Sequence, residues 1–219
     1  MKKLIIIGGR SGALEVKGIV DDINRTAPMY ELIGILNDDD TMQGESVGGM
    51  AILGRLEKAG TFPSVKYVFA IGSISTQHKR SKIMGRLKLQ PDDFESIIHP
   101  TAIVNDSAKI GVGCIIHPRT TISNDVSIGD FVVVAVASTI GPYAKLGDYS
   151  MVTSHVLVLS NASIGEAAFI GSLTCVLENV TVGAYARIGV GSVVGRDVKE
   201  GIFAMGNPLR LLGNSGKAE

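Results

Sequence analysis

The sequence contains no tryptophan, only two cysteines and no excess of charge of either sign. Because Lys+Arg and Asp+Glu both number 21, the formal net charge is zero, which argues against a nucleic-acid-binding surface and a polybasic membrane patch. Cys114 and Cys175 form no CxxC motif, so neither a disulfide scaffold nor a zinc site is indicated. We therefore expect two free thiols in a reducing cytoplasm, no metal and no nucleic-acid partner.

Long apolar runs are also absent. The opening segment, Met-Lys-Lys-Leu-Ile-Ile-Ile-Gly-Gly, has too short an apolar part for a signal peptide and lacks a small-residue cleavage site. No other stretch approaches the ~18 consecutive apolar residues that a membrane helix requires. The 45% apolar content is nevertheless ample for a packed core. These features predict a globular protein without membrane insertion, whose first residues form a strand.

Residues 1–95 alternate short strand-like runs with amphipathic helical ones, which is typical of βαβ units and a parallel sheet. We predict strands at 4–7, 31–36 and 67–71, and helices after the glycine turn at 8–12 and over 76–87. Polar or glycine-rich loops follow each strand, at the edge where open α/β sheets bind their ligands. The prediction is a Rossmann-like α/β domain over 1–95 with a ligand site at the strand ends.

From residue 98 onward an aliphatic residue returns at every sixth position. All 17 positions of this register hold Ile, Leu or Val, which are Ile98, Val104, Ile110, Ile116, Ile122, Ile128, Val134, Ile140, Leu146, Val152, Val158, Ile164, Ile170, Val176, Val182, Ile188 and Val194. Glycine follows the aliphatic residue in nine of these repeats.

A six-residue repeat predicts a triangular coil, in which three short parallel strands complete one turn. The aliphatic residue points inward, and we expect the glycine after it to let the chain turn the corner, where a bulky side chain would be strained. At ~4.8 Å per coil the prism would be roughly 27 Å tall, without a long external loop. The fold class is thus the α/β domain plus an all-β left-handed parallel β-helix over 96–199, with a closing segment and tail at 200–219.

Three further motifs accompany the repeats: Gly-Ile-Leu-Asn-Asp-Asp at 34–39, Gly-Gly-Met-Ala-Ile-Leu-Gly at 48–54 and Ile-His-Pro-Thr-Ala at 98–102. With them the chain resembles the sialic-acid O-acetyltransferase family, which includes bacterial enzymes that N-acetylate UDP-linked 4-amino-6-deoxy sugars. The resemblance covers nearly the whole chain. It implies a homotrimer that takes acetyl-CoA as co-substrate, bound along the prism between subunits, and a nucleotide-sugar held by the N-terminal domain.

The resemblance also implies ligand positions in the N-terminal domain, which are Ser11, Gly12 and Ala13 for the nucleotide diphosphate and Asn37 and Asp38 for the uridine. Asn37 replaces a carboxylate of the family. Independently, a helix N-terminus after a glycine turn favours anions, because free backbone N–H groups point at the phosphate. The turn is not G-x-G-x-x-G, so a dinucleotide cofactor is not expected.

The implied acyl-CoA positions lie in the repeats and are Met151, Gly171, Ser172, Gly189 and Val190. Ser172 and Val190 correspond to positions that use main-chain groups, and the late glycines are expected to let a pantetheine arm approach the backbone. The family's catalytic histidine corresponds to Pro142, and a second family histidine corresponds to Met151. The chain therefore lacks the family's proton acceptor at its usual place.

Four histidines remain as candidates for accepting the proton of an attacking amine or hydroxyl. His155 lies near the family's catalytic coil and is the first candidate, with an exposed corner residue as the alternative. His117 is the second; it stands 18 residues after His99, so the two should stack about 5 Å apart, but a corner before proline also explains both. His78, beside Lys79 and Arg80, is expected at the surface.

The leading prediction is an acetyl-CoA-dependent acetyltransferase that modifies the amino or hydroxyl group of a nucleotide-linked sugar for surface glycan or polysaccharide synthesis. Transfer is expected by direct attack on the thioester, without an acyl-enzyme. The alternative, consistent with Pro142, is a catalytically degenerate trimer that binds a nucleotide-sugar or acyl-CoA without turnover.

Overall fold

The computed structural model describes residues 1–214, so the last part of the predicted tail, 215–219, lies outside the described residues. The N-terminal part is a five-stranded sheet in the order β3-β4-β2-β1-β5. Its strands and helices are β1 (Lys2–Ile7), α1 (Arg10–Thr26), β2 (Tyr30–Leu36), β3 (Ser46–Val47), β4 (Met50–Gly54), β5 (Val65–Phe69) and α2 (Arg80–Arg86). Short 3-10 turns occupy Asp40–Met42, Leu56–Lys58, Gln77–Lys79 and Pro91–Asp93.

β1 is the central strand and pairs in parallel with β2 on one side and β5 on the other. β2 in turn pairs in parallel with β4, and β3 and β4 form an antiparallel hairpin at the edge. α1 connects β1 to β2 and buries Val16, Ile19 and Val20 against the sheet, as helical spacing requires. Leu14, which shares that spacing, is 48% exposed.

Two predicted boundaries differ from the structure. The strand predicted at 67–71 is β5, Val65–Phe69, which ends where its partner β1 ends. The helix predicted over 76–87 begins as a 3-10 turn, and only Arg80–Arg86 is α-helical. The Thr76 hydroxyl accepts a hydrogen bond from the Ser73 backbone N–H at 3.0 Å, which closes a turn ahead of the helix.

The remaining chain winds into a three-sided parallel β-helix. Face 1 consists of Ile97–Ile98, Ile115–Ile116, Val133–Val134, Met151–Val152, Phe169–Ile170 and Arg187–Ile188. Face 2 consists of Ile103–Val104, Thr121–Ile122, Thr139–Ile140, Leu157–Val158, Cys175–Val176 and Val193–Val194. Face 3 consists of Lys109–Ile110, Ser127–Ile128, Lys145–Leu146, Ser163–Ile164 and Thr181–Val182. Each strand pairs in parallel with the strand one coil away, as Thr121 does with Thr139.

The six-residue register correctly predicts the core of this β-helix. From Ile116 to Val194 every aliphatic residue of the register is buried. Ile98, in the first coil, is 37% exposed. Ile98 and Val104 lie at the end of the prism, where no preceding coil covers them. At the other end Ile202–Met205 continues face 1, and Arg210–Asn214 pairs with it antiparallel, which closes the prism.

The reason predicted for the repeated glycines is wrong. The left-handed backbone conformation occurs three residues after the aliphatic residue, at positions such as Tyr143, Tyr149 and His155, with φ between 58° and 61°. The glycines directly after the aliphatic residue have no positive φ. At Gly165 a Cβ would lie 2.4 Å from the backbone nitrogen of Ala184 in the next coil, whereas at Gly195 its nearest neighbour would be 3.5 Å away. At eight of the nine glycines, close packing against the following part of the chain, and not corner turning, excludes a side chain.

The N-terminal sheet packs against face 1 of the β-helix. Arg80 is fully buried and donates to the carbonyl oxygens of Tyr149 at 2.7 Å and Phe131 at 2.8 Å. Its guanidinium lies 5.5 Å from the centre of the Phe69 ring, which stands edge-on to Phe131. Two of the three guanidinium nitrogens of Arg80 thus donate across the junction, while Nε is buried without a hydrogen-bond partner. These two bonds and the ring contact hold α2 on the prism.

Candidate functional site

A cavity lies at the carboxyl ends of β1, β2 and β5, where strand order reverses and open α/β sheets bind ligands. Its volume is about 430 Å³, within the usual size of a small-molecule site. The lining comes from the loops after β1, β2, β4 and β5, from the first turn of α1 and from α2. It consists of Gly8, Gly9, Arg10, Ser11, Gly12, Asn37, Asp38, Leu56, Ala70, Ile71, Gly72, Ser73, Thr76, Ile83 and Arg86.

One wall of this cavity is the N-terminus of α1. Gly9 precedes the helix without a side-chain cap, and no acidic residue occupies the first turn. The first N–H groups of a helix have no partner within it, so they can bind an anion in the cavity. A Cβ at Gly12 would lie 2.3 Å from the carbonyl oxygen of Ala70. Gly12 therefore lets α1 approach the end of β5, which brings the helix terminus to the cavity.

The predicted nucleotide-contacting residues divide into two groups. Ser11, Gly12, Asn37 and Asp38 line the cavity. Ala13 does not, because its side chain is fully buried and its N–H is donated to the Gly9 carbonyl at 2.9 Å.

The other end of the cavity is formed by Asn37 and Asp38. The Asn37 amide donates to the Gly8 carbonyl at 2.7 Å and accepts from the Asp39 N–H at 2.6 Å, so it holds the two loops together. Asp38 accepts from the Leu56 N–H at 2.9 Å, and its other oxygen lies 3.7 Å from Arg86. Asn37 is thus a scaffold for the loop, and Asp38 is the residue of the pair whose second carboxylate oxygen is held only by the longer contact with Arg86 at the cavity lining.

Sequence reasoning missed Arg10 and Arg86, the two arginines in the cavity lining. Arg10 lies within the glycine turn at 8–12, so its position beside the cavity could have been inferred from the sequence. Arg86 is at the end of α2, 48 residues after Asp38. No local motif predicts that approach, because it depends on how α2 packs on the prism.

A second, smaller cavity of about 60 Å³ continues from the first, between face 1 on one side and α1 and the loop after β5 on the other. The two cavities share Ser11, Gly12, Ala70, Ile71 and Gly72. The remaining lining consists of Glu15, Val16, Ile115, His117, Val133 and Met151. The methyl group of Met151 lies so near Gly72 that a Cβ there would be 2.9 Å from it. Of the predicted acyl-CoA positions, only Met151 lines either of these cavities.

The histidines of the two Ile-His-Pro motifs occupy matching positions in neighbouring coils, as predicted, but differ in their contacts. His99 is 2.9 Å from Asp22 through Nε2 and accepts from the Thr101 N–H at 3.0 Å through Nδ1. These contacts satisfy both ring nitrogens of His99. His117 lines the second cavity, 3.9 Å from Glu15. Burial, and then the neighbouring His99, lower the pKa of His117 to about 4, so its imidazole is neutral at pH 7.

His155 is an exposed residue at the corner between faces 1 and 2, with φ 58°. The structure brings it to the same corner as Ser172 and Val190 and away from the two cavities. Pro142 lies at the corner between faces 2 and 3, which is opposite face 1. His78 was expected at the surface but is partly buried, and its Nδ1 is enclosed without a hydrogen-bond partner, because the turn that carries it packs on the prism.

The structure gives Gly171 and Gly189 a packing role. A Cβ at Gly171 would lie 2.7 Å from the Val190 nitrogen, and one at Gly189 would lie 2.5 Å from Met205. Their missing side chains therefore accommodate the next part of the chain. By contrast, Gly191 has φ 68°, and a Cβ on it would meet no atom within 4 Å, so it is the glycine of this corner that faces open space.

Repeats and fold together define a left-handed parallel β-helix of the hexapeptide class, which confirms the fold prediction. Residues 161–196 match the family described as bacterial transferase hexapeptide (six repeats). A segment of 53 residues is 43% identical to the UDP-N-acetylbacillosamine N-acetyltransferase of Bacillus subtilis (strain 168). That match covers 24% of this chain and 23% of the Bacillus protein, less than a quarter of the relative's length.

Several solved structures match almost the whole chain, among them the following two. The acetyltransferase domain of PglB from Neisseria gonorrhoeae FA1090 is 26% identical with a TM-score of 0.80, over 97% of this chain and 100% of that one. PerB from Caulobacter crescentus, in complex with CoA and GDP-perosamine, is 25% identical with a TM-score of 0.84, over 97% and 98% of the two chains. These matches confirm the predicted resemblance to sugar acetyltransferases.

Two further features concern metals and membranes. Within residues 1–214 no three His, Cys, Asp or Glu side chains are grouped so that they could hold a metal ion. Over the same residues, no helix combines the length and apolar character needed to span a bilayer. Both cysteines are free thiols.

Proposed function

We propose that this protein transfers the acetyl group of acetyl-CoA to the amino group of a nucleotide-linked sugar, in a pathway that builds a surface glycan or polysaccharide. The observation that carries the proposal is the cavity at the strand ends, with the uncapped N-terminus of α1 in its wall. This cavity occurs in a fold that matches sugar acetyltransferases along nearly the whole chain. An amine is the favoured acceptor, because a neutral amine attacks a thioester without prior deprotonation.

In this proposal the nucleotide diphosphate binds at the glycine turn. The backbone N–H groups of Ser11 and Gly12 face the phosphates, and Arg10 and Arg86 supply positive charge at the cavity wall. The nucleoside extends toward Asp38, whose carboxylate accepts hydrogen bonds from its hydroxyl groups. Ala13 supports the helix turn from behind and Asn37 holds the loop, so neither needs to touch the ligand through its side chain.

We further propose that the active form is a homotrimer with acetyl-CoA between subunits. The N-terminal sheet covers face 1, and the outward positions of face 3 are polar, as Lys109 and Lys145 illustrate. Face 2 instead presents Ile103, 67% exposed, and Leu157, 44% exposed. Burying that surface against another copy removes apolar area from water. Acetyl-CoA would then lie at the adjoining corner, beside Ser172 and Val190, with His155 as a further contact.

Both proposed substrates are metabolites of the cytoplasm, so we place the protein there. The two free thiols fit a reducing compartment.

A thiol-release assay tests the activity. Purified protein is incubated with acetyl-CoA and, separately, with GDP-perosamine and UDP-linked amino sugars, and free CoA is detected with a thiol reagent. We expect release that depends on one of these acceptors and that falls in Arg86→Gln through a higher KM. His155→Ala in the same assay measures the contribution of the corner histidine; unchanged kinetics would remove His155 from the site.

The second candidate function is a trimeric binding protein without turnover, which Pro142 favours by replacing the expected histidine. Calorimetry separates the two functions. Binding of a nucleotide-sugar and of CoA without any thiol release would support the second function and overturn the first. Release of thiol with any acceptor would exclude it.

A further inference from the structure

The loop that follows β5 forms a wall shared by the two cavities. This β5 loop comprises residues 70–76, and β5 itself ends at Phe69. Five residues of the loop line the first cavity, and the first three of them also line the second; they are Ala70, Ile71, Gly72, Ser73 and Thr76. The position of the β5 loop therefore sets the shape of the space in which the nucleotide-sugar is proposed to bind.

The β5 loop keeps its own shape through short hydrogen bonds. The Ser73 N–H is donated to the Thr76 hydroxyl at 3.0 Å, and the hydroxyl groups of Ser73 and Ser75 are 2.9 Å apart. The Gln77 N–H is donated to the Ser73 carbonyl at 2.9 Å. These bonds join the loop to itself and to the turn after it. They do not fix where the loop lies on the β-helix.

The surface beside the β5 loop is the outward column of face 1. In each strand the register residue faces the core and the other residue faces outward. Pairing from coil to coil aligns these outward residues, which are Ile97, Ile115, Val133, Met151, Phe169 and Arg187. Arg187 is the one charged member of this otherwise apolar column, and it is partly buried. A charged group removed from water in this way requires a polar partner.

The partner of Arg187 is the β5 loop. Its Nη2 donates to the Ile74 carbonyl at 3.0 Å. Gly72 packs so closely on Met151 that a Cβ there would lie 2.9 Å from the Met151 methyl group. Met151 and Arg187 are two coils apart in the column, roughly 10 Å at ~4.8 Å per coil. The loop is thus held on face 1 at two points, by packing at Gly72 and by a hydrogen bond at Ile74.

We infer that Arg187 is a positioning residue for the nucleotide-sugar, because it holds the β5 loop where Ile71, Gly72 and Ser73 form the cavity wall. The inference rests on the proposed function. Arg187 lines neither of the two cavities, so it acts on the ligand only through the loop. Its loss should leave the residues of the cavity in place in the sequence but allow the wall to move away from the ligand.

The hydrogen bond from Arg187 is the stronger of the contacts available at the loop tip. The Ile74 side chain is 54% exposed, so its packing contributes little there. A guanidinium donor bonds a carbonyl more strongly than a neutral donor does. Burial, and then the charges of Lys79 and Arg187, lower the pKa of His78, which follows the loop. His78 is therefore neutral at pH 7 and adds no positive charge beside Arg187.

The test measures ligand affinity by calorimetry in wild type, Arg187→Gln, Arg187→Lys and Arg196→Gln. Arg196 is the matched control, since it is also an arginine of the β-helix that donates to a backbone carbonyl, that of Leu209 at 3.4 Å. The probes are GDP-perosamine, UDP-linked amino sugars and CoA. We expect Arg187→Gln to bind the accepted sugar nucleotide about fivefold more weakly. Arg187→Lys, which keeps a charged donor, should recover most of the affinity, and Arg196→Gln should equal wild type.

Two further readouts separate positioning of the loop from a general loss of structure. In thiol release, Arg187→Gln should raise KM for the sugar nucleotide about fivefold while kcat changes by less than about twofold. Affinity for CoA should stay at the wild-type value. Amide hydrogen exchange without any ligand should become faster at 71–76 in Arg187→Gln, and exchange in the β-helix core should not change.

The outcomes distinguish this inference from the proposed function. Wild-type affinity for the sugar nucleotide in Arg187→Gln would overturn the role of Arg187 and leave the acetyltransferase activity standing. An equal loss of affinity for CoA and for the sugar nucleotide would also overturn it, because the β-helix itself would then be disturbed. A wild-type protein that binds none of the sugar nucleotides would overturn the proposed function.

Discussion

Burial of His117 makes the stability of the protein depend on pH in a way that one substitution should remove. Burial lowers the pKa of His117 to about 4, whereas an unfolded histidine titrates near 6.5. The unfolded chain therefore binds a proton first as the pH falls. Stability is full above about pH 6.5 and is lost progressively below it, down to the folded pKa. Between pH 7.5 and pH 5.0 this one group costs roughly 2 kcal/mol of unfolding free energy.

Urea unfolding at the two pH values measures this cost, at one protein concentration because the midpoint of an oligomer varies with concentration. His117→Gln should be less sensitive to acid than wild type by about 2 kcal/mol, since glutamine does not titrate. His99→Gln, in the next coil, is the control and should keep most of the acid sensitivity. Equal loss of stability in wild type and His117→Gln would contradict this prediction, because it would mean that His117 is protonated in the folded protein.

Four other substitutions test the packing of the coils, the domain junction and the cavity at the strand ends. Gly165→Ala forces a Cβ against the backbone of the next coil and should lower the unfolding free energy by about 2 kcal/mol. Its control, Gly195→Ala, should be tolerated because the nearest neighbour of the added Cβ would be 3.5 Å away. Equal urea midpoints for the two variants would show that the coils can separate without cost. Arg80→Met should lower the unfolding free energy by about 3 kcal/mol, since two carbonyl groups at the domain junction lose their donors. An unchanged thermal unfolding temperature would contradict this prediction. Arg86→Gln should weaken nucleotide-sugar binding about tenfold in calorimetry, and unaltered affinity would place the diphosphate elsewhere.

The fold of the C-terminal part could be predicted because each repeat carries its own inward-facing residue. From Ile116 to Val194 the register alone identifies the core. The function of the glycines could not be predicted in the same way. A side chain at Gly165 would collide with Ala184, 19 positions later, and the two residues meet only after the coils have stacked. The left-handed conformation instead falls on residues such as Tyr143 and His155, where sequence gives no sign of it.

The candidate site could likewise be predicted only in part. Its glycine turn and the loop at Asp38 could be predicted, because parallel strands bring their carboxyl ends to one edge of a sheet. The approach of Glu15 to His117, and of Arg86 to Asp38, joins residues that are far apart in sequence. The first contact depends on how α1 lies against face 1, and the second on where α2 lies against the loop after β2; no local pattern encodes either arrangement.

Mass spectrometry of the sugar nucleotide, after incubation with protein and acetyl-CoA, detects the proposed transfer itself. We expect a product heavier by one acetyl group, with the acetyl on the amino nitrogen, formed in proportion to the thiol released. Recovery of every amino sugar nucleotide unchanged, from protein shown by calorimetry to bind both ligands, would mean that the protein is not an acetyltransferase for these sugars.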